Sequence, residues 1–198
     1  MDNDKILRGA APVYDVYYPT DVWTEVLPNL YLGGTHSHED MMRTEGESAF
    51  EAFGVRDPEI TKDKFDTVIT LYAWARPADW FVKELRYGML DGEIADLDLG
   101  EIKTLVTLAH ADWKAGKRVL IRCQAGINRS SLVAALLLIR DGYSARRAID
   151  QLRRTRGGAV LANRHFNDWL LQVDVRLNYT ESVNSRANRA ECLHHSII

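Results

Sequence analysis

The sequence predicts an α/β domain: a mostly parallel central sheet flanked by helices, in three layers. Three observations predict it. Two short β-branched runs, Thr67 to Leu71 and Arg118 to Ile121, read as strands buried on both faces. Segments of helical spacing alternate with them, as crossovers between parallel strands require. The eight residues Leu132 to Ile139 are apolar on every side, so they read as a helix inside the core.

The elements follow in chain order. Residues 1–21 are polar, carry Tyr14, Tyr17 and Tyr18, and read as an N-terminal arm. Val22 to Leu27 and Leu30 to Leu32 read as two short strands around a Pro28-Asn29 turn, closed by Gly33-Gly34. Residues 35–64 read as an acidic insertion with a helix over about 37–53. His36 and His38 fall here; with no cysteine or third histidine nearby they read as a surface loop, not a metal site. Leu85 to Leu90 is a weaker strand candidate. Ile102, Leu105, Val106, Ala109 and Trp113 share one helix face, and Gly116 stands where a C-terminal cap belongs. Gly142 ends the buried helix, and Ser144 can cap the next, with Ala148, Ile149 and Leu152 facing inward. Asn163 can cap a last helix carrying Phe166, Trp169, Leu170 and Val173. The domain therefore spans 22–178, and 179–198 is a polar C-terminal tail. Cys192, His194 and His195 belong to that tail.

Composition excludes several classes. With 198 residues and 46% hydrophobic, the chain can bury one substantial core. Five prolines and 13 glycines are too few for a collagen-like or low-complexity chain. No apolar run approaches the roughly 20 residues of a membrane span. Met1 to Arg8 is charged, so no secretory leader and no membrane association are expected. Two cysteines, Cys123 and Cys192, allow at most one bridge, which points to a reducing, cytoplasmic setting. Residues 1–66 carry 14 acids and 6 bases. Residues 140–156 carry six arginines against Asp141 and Asp150, either a solvated helix face or a basic field for an anionic substrate.

One segment carries chemistry. The strand ending at Arg122 runs into Cys123-Gln124-Ala125-Gly126-Ile127-Asn128-Arg129-Ser130 and then directly into the buried helix. Such a strand–loop–helix turn gathers backbone N–H groups and a helix N-terminus around one point, which makes an anion site over residues 124–129. Gly126 permits the unusual turn. Arg129 can hold two phosphate oxygens with its planar fork. Cys123 lies at the bottom of this positive cup, where the thiolate is favoured. Thiolate and phosphate cradle together point to covalent catalysis through a cysteinyl-phosphate. Ser130 is placed to hydrogen-bond the sulfur and help it leave.

Cys123-x5-Arg129-Ser130 resembles the signature loop of the cysteine-dependent phosphatases, specifically the dual-specificity protein phosphatases. Glu25 to Gly33 resembles that family's opening strand pair, and Asn163-x2-Phe166 its closing element. Asp91, 32 residues before Cys123, stands where the family keeps its general acid. Glu93, Asp96 and Asp98 lie in the same stretch, with Asp96 the second choice. The resemblance implies a phosphoric monoester hydrolase acting on phosphorylated protein, on phosphotyrosine first and phosphoserine or phosphothreonine besides, without metal or other cofactor. Two departures stand out. Arg122 replaces the family's usual histidine before the cysteine; on a strand it points away from Cys123, and its charge could still support the thiolate. Asn128 resembles the RNA 5′-phosphatase branch, so an RNA 5′-tri- or diphosphatase is the first alternative and nucleic acid a partner only under it. A phosphate-binding module with weak turnover is the second. Trp74 and Arg76 should reach the rim of the cradle.

Overall fold

Strand residues alternate between two apolar surfaces, and that alternation builds the domain. The computed structural model describes residues 18–36 and 58–173. Five strands form one sheet: β1 (Trp23–Leu27), β2 (Leu30–Gly33), β3 (Thr67–Thr70), β4 (Lys83–Arg86) and β5 (Val119–Arg122). Their order is β1-β2-β5-β3-β4. β1 and β2 pair antiparallel through the Pro28-Asn29 turn, where Asn29 adopts φ 64°; the other pairings are parallel. β5 is therefore central, and the loop that leaves its C-terminal end opens at the sheet edge where α/β folds place ligands.

Leu30, Leu32, Ile69, Leu71, Val119 and Ile121 face the helices and join the larger core cluster. Val68 and Leu120 face the other way, with Ile60, Phe65 and Val82, under Trp23 and Tyr31. The rings of Trp23 and Tyr31 meet Phe65 edge-on at 5.4 and 5.2 Å. Among the described residues this second layer is irregular chain from 58–66 and 78–82, whereas the first is helical. The helices are α1 (Leu99–Lys114), α2 (Arg129–Arg140), α3 (Ala145–Arg156) and α4, which occupies described residues 164–173. α2 is buried along most of its length, as its unbroken apolar run predicts, and each fully buried Leu or Val contributes about 1.5–3 kcal/mol.

The caps at Ser144 and Asn163 follow the sequence reading: Ser144 Oγ accepts Arg147 N–H, and Asn163 Oδ1 accepts His165 and Phe166 N–H. Asp98, expected only among the candidate acids, caps α1, its Oδ1 accepting the Gly100 and Glu101 N–H groups at 2.9 and 3.0 Å. Gly116 and Gly142 end α1 and α2 at φ 80° and 98°.

Three readings differ from the structure. The strand expected at Leu85 to Leu90 is β4 at Lys83–Arg86. Its edge position admits polar residues that a periodicity search passes over. His36, expected on a surface loop, is 2% exposed, with Nδ1 2.7 Å from Thr35 Oγ1. Tertiary contact with the loop after β5 buries it, which local polarity could not signal. The insertion expected at 35–64 is, at both described ends, part of the packed domain: Thr35, His36 and Ile60 are buried. The helix expected over 37–53 and the tail after 178 lie outside the described residues, as do Tyr14, Tyr17, His38 and Cys192.

Ion pairs tie the layers together. Arg118 donates from N and Nε to Asp66 Oδ2 at 3.0 Å each, holding that carboxyl well below the usual carboxylate range. Asp112 bonds Lys117, Lys83 and Thr67; burial opposes its ionisation, yet these three donors hold its pKa at about 2. A depressed carboxyl stabilises the fold above its unfolded pKa of about 4, and this contribution is lost as pH falls from there towards 2. Wild-type melting temperature should therefore drop over that interval, and in Asp112→Asn the drop should be smaller and the melting temperature at neutral pH lower. Parallel curves would remove Asp112 from the acid response.

Candidate active site

The loop between β5 and α2 closes on itself because its carbonyl groups are all claimed from outside. Gln124 O accepts Thr35 N–H at 2.8 Å and His36 N–H at 3.3 Å. Ala125 O and Gly126 O accept Arg156 Nη2 and Nε at 3.4 and 2.9 Å. Ile127 O accepts Leu161 N–H at 2.9 Å, and Asn128 O accepts Leu132 N–H at 2.8 Å in the first turn of α2. In a planar trans peptide the N–H points opposite to the C=O. Five consecutive carbonyls turned outward therefore turn the N–H groups of residues 125–129 inward, around one point, at the N-terminus of a 12-residue helix.

Cys123 sits at that point. It is 2% exposed and unbridged. Its Sγ accepts the Gly126 N–H at 3.3 Å and lies 3.2 Å from Ser130 Oγ. The short Cys123–Ser130 contact follows from chain geometry: Cys123 is the last residue before the loop, and Ser130 is in the first turn after it.

Gly126 and Gly34 allow the loop to pack this tightly. Gly126 has φ 70°, and a Cβ there would lie 2.5 Å from both Arg156 Nη2 and the Gly33 carbonyl carbon. A Cβ on Gly34 would lie 2.6 Å from Gln124 O. Gly126→Ala should cost about 2–5 kcal/mol, from left-handed strain and overpacking. A melting temperature lowered together with catalytic efficiency is the expected result; an unchanged melting temperature would mean that the loop relaxes freely.

Arg129 lies at the lip. Its guanidinium stacks on the Tyr72 ring at 5.5 Å and donates weakly to Met89 O and Gln124 Oε1, both at 3.4 Å. Its Nε is buried without a hydrogen-bond partner. A buried unpaired donor on a cation is costly, and an anion in the cup would satisfy it. Trp74, 69% exposed, meets Tyr72 edge-on at 5.7 Å; Arg76, expected at the rim, pairs with Glu59 at 2.9 Å.

The structure separates the four acids of the 91–98 stretch. Asp98 caps α1, and Asp96 Oδ2 accepts the Glu93 N–H at 3.4 Å within a short 3-10 turn. Asp91 alone among them is bonded to the loop: Oδ2 accepts Asn128 Nδ2 at 3.0 Å, and Oδ1 accepts Asn163 Nδ2 at 2.9 Å. Asn128 Oδ1 in turn accepts the Asn163 N–H at 3.0 Å. Asn128 thus spends its side chain on Asp91 and Asn163 rather than on a cap for α2.

Arg122 is fully buried on the opposite face of β5 from Cys123. It donates to Thr70 Oγ1 at 3.0 Å and to the Arg76 carbonyl, and its charge is met by Glu84 at 3.3 Å. The arginines of 140–156 divide. Arg140, Arg146, Arg147 and Arg154 face solvent, Arg153 donates to Val160 O, and Arg156 is 2% exposed. Sequence reasoning missed Arg156, although a signal was present. It follows Ile149 and Leu152 at helical spacing, on the buried face of α3. The roles of Thr35 and His36 on Gln124 O, and of Tyr72 under Arg129, had no local signal.

The loop thus brings Cys123, the Gly126 N–H and Ser130 together at its base, with Arg129 at its lip and Asp91 bonded to it through Asn128. The family described as dual specificity phosphatase, catalytic domain, matches residues 58–176, and the chain belongs to it. A protein of invertebrate iridescent virus 6 named as a tyrosine phosphatase, 123R, is 27% identical over 160 residues, covering 80% of this chain and 96% of that one. The rat protein named cyclin-dependent kinase inhibitor 3 is 44% identical over 73 residues, 35% of this chain and 34% of that one. The crystal structure of human DUSP28 shares the fold with TM-score 0.58 at 20% identity, over 79% of this chain and 99% of that one. Orf virus OH1, titled a tyrosine phosphatase with triple substrate specificity, gives TM-score 0.55 at 17% identity, over 80% and 89%. No helix among the described residues is long and apolar enough to cross a membrane.

Proposed function

We propose that the chain hydrolyses phosphotyrosine in proteins, with phosphoserine and phosphothreonine as further substrates, through a cysteinyl-phosphate. The buried, unpartnered Nε of Arg129, at the end of a loop whose Gly126 N–H is bonded to Cys123 Sγ, supports this reading most directly. The three outer oxygens of a phosphate monoester are held by the inward N–H groups of 125–129 and the Arg129 guanidinium. Cys123 Sγ attacks phosphorus as the bond to the leaving oxygen breaks, and Asp91 protonates that oxygen. Water, deprotonated by the same carboxylate, then attacks the cysteinyl-phosphate. The sulfur leaves as a thiolate, stabilised by the Ser130 hydroxyl and the Gly126 N–H. Tyr72 and Trp74 offer an aromatic wall to an aryl ester. Because the nucleophile is a thiol, the reading places its action in a reducing compartment, as in the cytoplasm.

Turnover of a phosphotyrosine peptide, a phosphothreonine peptide and 5′-triphosphate RNA, each by wild type and Cys123→Ser, tests the reading. Phosphopeptide turnover by wild type alone is the expected result. Efficient, steeply salt-dependent release from RNA with poor phosphopeptide turnover would transfer the assignment to an RNA 5′-phosphatase, using the four solvent-facing arginines of 140–156. Tight phosphate binding without turnover of any substrate would make the chain a binding module.

A further inference from the structure

Among the described residues the fold buries two arginines for which the proposed chemistry has no step, Arg122 and Arg156, and of these Arg156 is the one bonded to the loop after β5. Arg156 ends α3, is 2% exposed, and makes four hydrogen bonds. Two go to β1 and the residue before it, Thr24 Oγ1 at 3.0 Å and Val22 O at 3.1 Å. The other two go to the consecutive loop carbonyls Gly126 O and Ala125 O. Each of these holds a peptide plane. The Ala125–Gly126 peptide presents its carbonyl to Arg156 and its N–H to Cys123 Sγ at 3.3 Å. The Gly126–Ile127 peptide presents its carbonyl to Arg156 and its N–H in the opposite direction, into the cup.

We propose that Arg156 is a positioning residue for the phosphate cradle: from beneath the loop, its guanidinium orients the Gly126 and Ile127 N–H groups towards the sulfur and the bound phosphate, and its charge supports the thiolate through the same peptides. Burial alone makes this placement costly, because desolvating a guanidinium is unfavourable unless its donors are used. Desolvation pushes the Arg156 pKa down to about 10, and the charges of Cys123 and Asp21 act the other way. The other ionisable groups around the cup are Arg129 and Asp91 at the rim and His36 on the Gln124 carbonyl. A lysine could keep the charge but cannot fork onto two carbonyls.

The inference rests on the phosphate-cradle reading of the site, and inorganic phosphate tests both. Its binding constant is measured by titration calorimetry in the Cys123→Ser background, alone and with Arg156→Lys or Arg156→Met. The pH profile of Cys123 alkylation by iodoacetamide is measured in the otherwise wild-type chain. Both Arg156 substitutions should weaken phosphate binding about tenfold or more, the loss expected when oriented donors to a charged group are misplaced. Arg156→Met should also move the alkylation profile to higher pH. Arg156→Lys should leave that profile near the wild type, and Arg154→Met, on the exposed face, should leave both measurements unchanged. Catalytic efficiency should fall about 10²-fold in both Arg156 variants, the scale of losing one oriented donor. Phosphate that fails to bind even with Arg156 intact would overturn the cradle itself. If phosphate binds the parent chain and Arg156→Lys equally well, the orienting role is overturned. If Arg156→Met folds and its alkylation profile does not move, the electrostatic role is overturned. Should Arg156→Met not fold, the lysine titration still decides the orienting role, on which the proposal stands.

Discussion

Cys123→Ser is expected to reduce turnover by a factor on the order of 10⁵–10⁶ while phosphate-ester binding persists. A serine hydroxyl is a far weaker nucleophile at neutral pH than a cysteine sulfur, and no neighbouring base stands ready to activate it: Ser130 and the Gly126 N–H are the groups bonded to Sγ. The cradle does not depend on sulfur. Its peptide planes are set by Thr35, Arg156, Leu161 and Leu132, acting on carbonyls that face away from Cys123. The substituted chain should therefore retain a phosphotyrosine peptide that it cannot turn over. Retention is read by calorimetry and turnover by phosphate release. Activity near that of the wild type would remove Cys123 as nucleophile. Loss of binding together with turnover would mean that the sulfur holds the loop in shape.

Asp91→Asn is expected to lower phosphotyrosine turnover by about 10²–10⁴-fold, the usual scale of general acid catalysis. The loss should depend on the leaving group. A tyrosine phenoxide, with a pKa of about 10, needs the proton, and a nitrophenoxide, a much weaker base, needs it less. Nitrophenyl phosphate turnover should therefore fall clearly less. The alkaline limb of the kcat–pH profile should also disappear with the carboxyl. The local network adds a condition. Both Asp91 oxygens accept amide N–H groups, from Asn128 and Asn163, so an asparagine at 91 must turn its own NH2 group towards one of these donors. Asp91→Ala is measured alongside, and agreement between the two excludes a loss due to that clash alone. Asp96→Asn should show no leaving-group dependence, because its carboxyl is bound within its own turn. The opposite outcome, loss in Asp96→Asn and none in Asp91→Asn, would transfer the role to Asp96.

Local chemistry made much of this legible. The β-branched runs became β3 and β5, and the apolar run became α2. Asp98 was read only as one of four candidate acids. Its capping role emerged once α1 was seen to begin at Leu99. β4 was misplaced because an edge strand such as Lys-Glu-Leu-Arg carries no alternation to find. His36 was misread because its neighbours in sequence are polar, while its neighbours in space are the loop after β5.

The sequence by itself determined the elements of the candidate site that lie within one short stretch: Cys123, the glycine turn, Arg129, Ser130 and the helix that follows. Six residues bring the thiol and guanidinium to one loop whatever the rest of the fold does, so spacing alone carries that information. Only the tertiary structure decided which carboxyl joins them. Asp91, Glu93, Asp96 and Asp98 are equivalent by proximity in sequence, and the difference is that Asn128 and Asn163, 37 and 72 residues away, reach Asp91. It also decided which charges serve the loop. Arg122 adjoins the cysteine in sequence, but the strand alternation turns it to Glu84, whereas Arg156, 30 residues beyond Gly126, holds the loop from below. Backbone carbonyls carry no sequence signature, so the groups that orient them become visible only when the chain is folded around them.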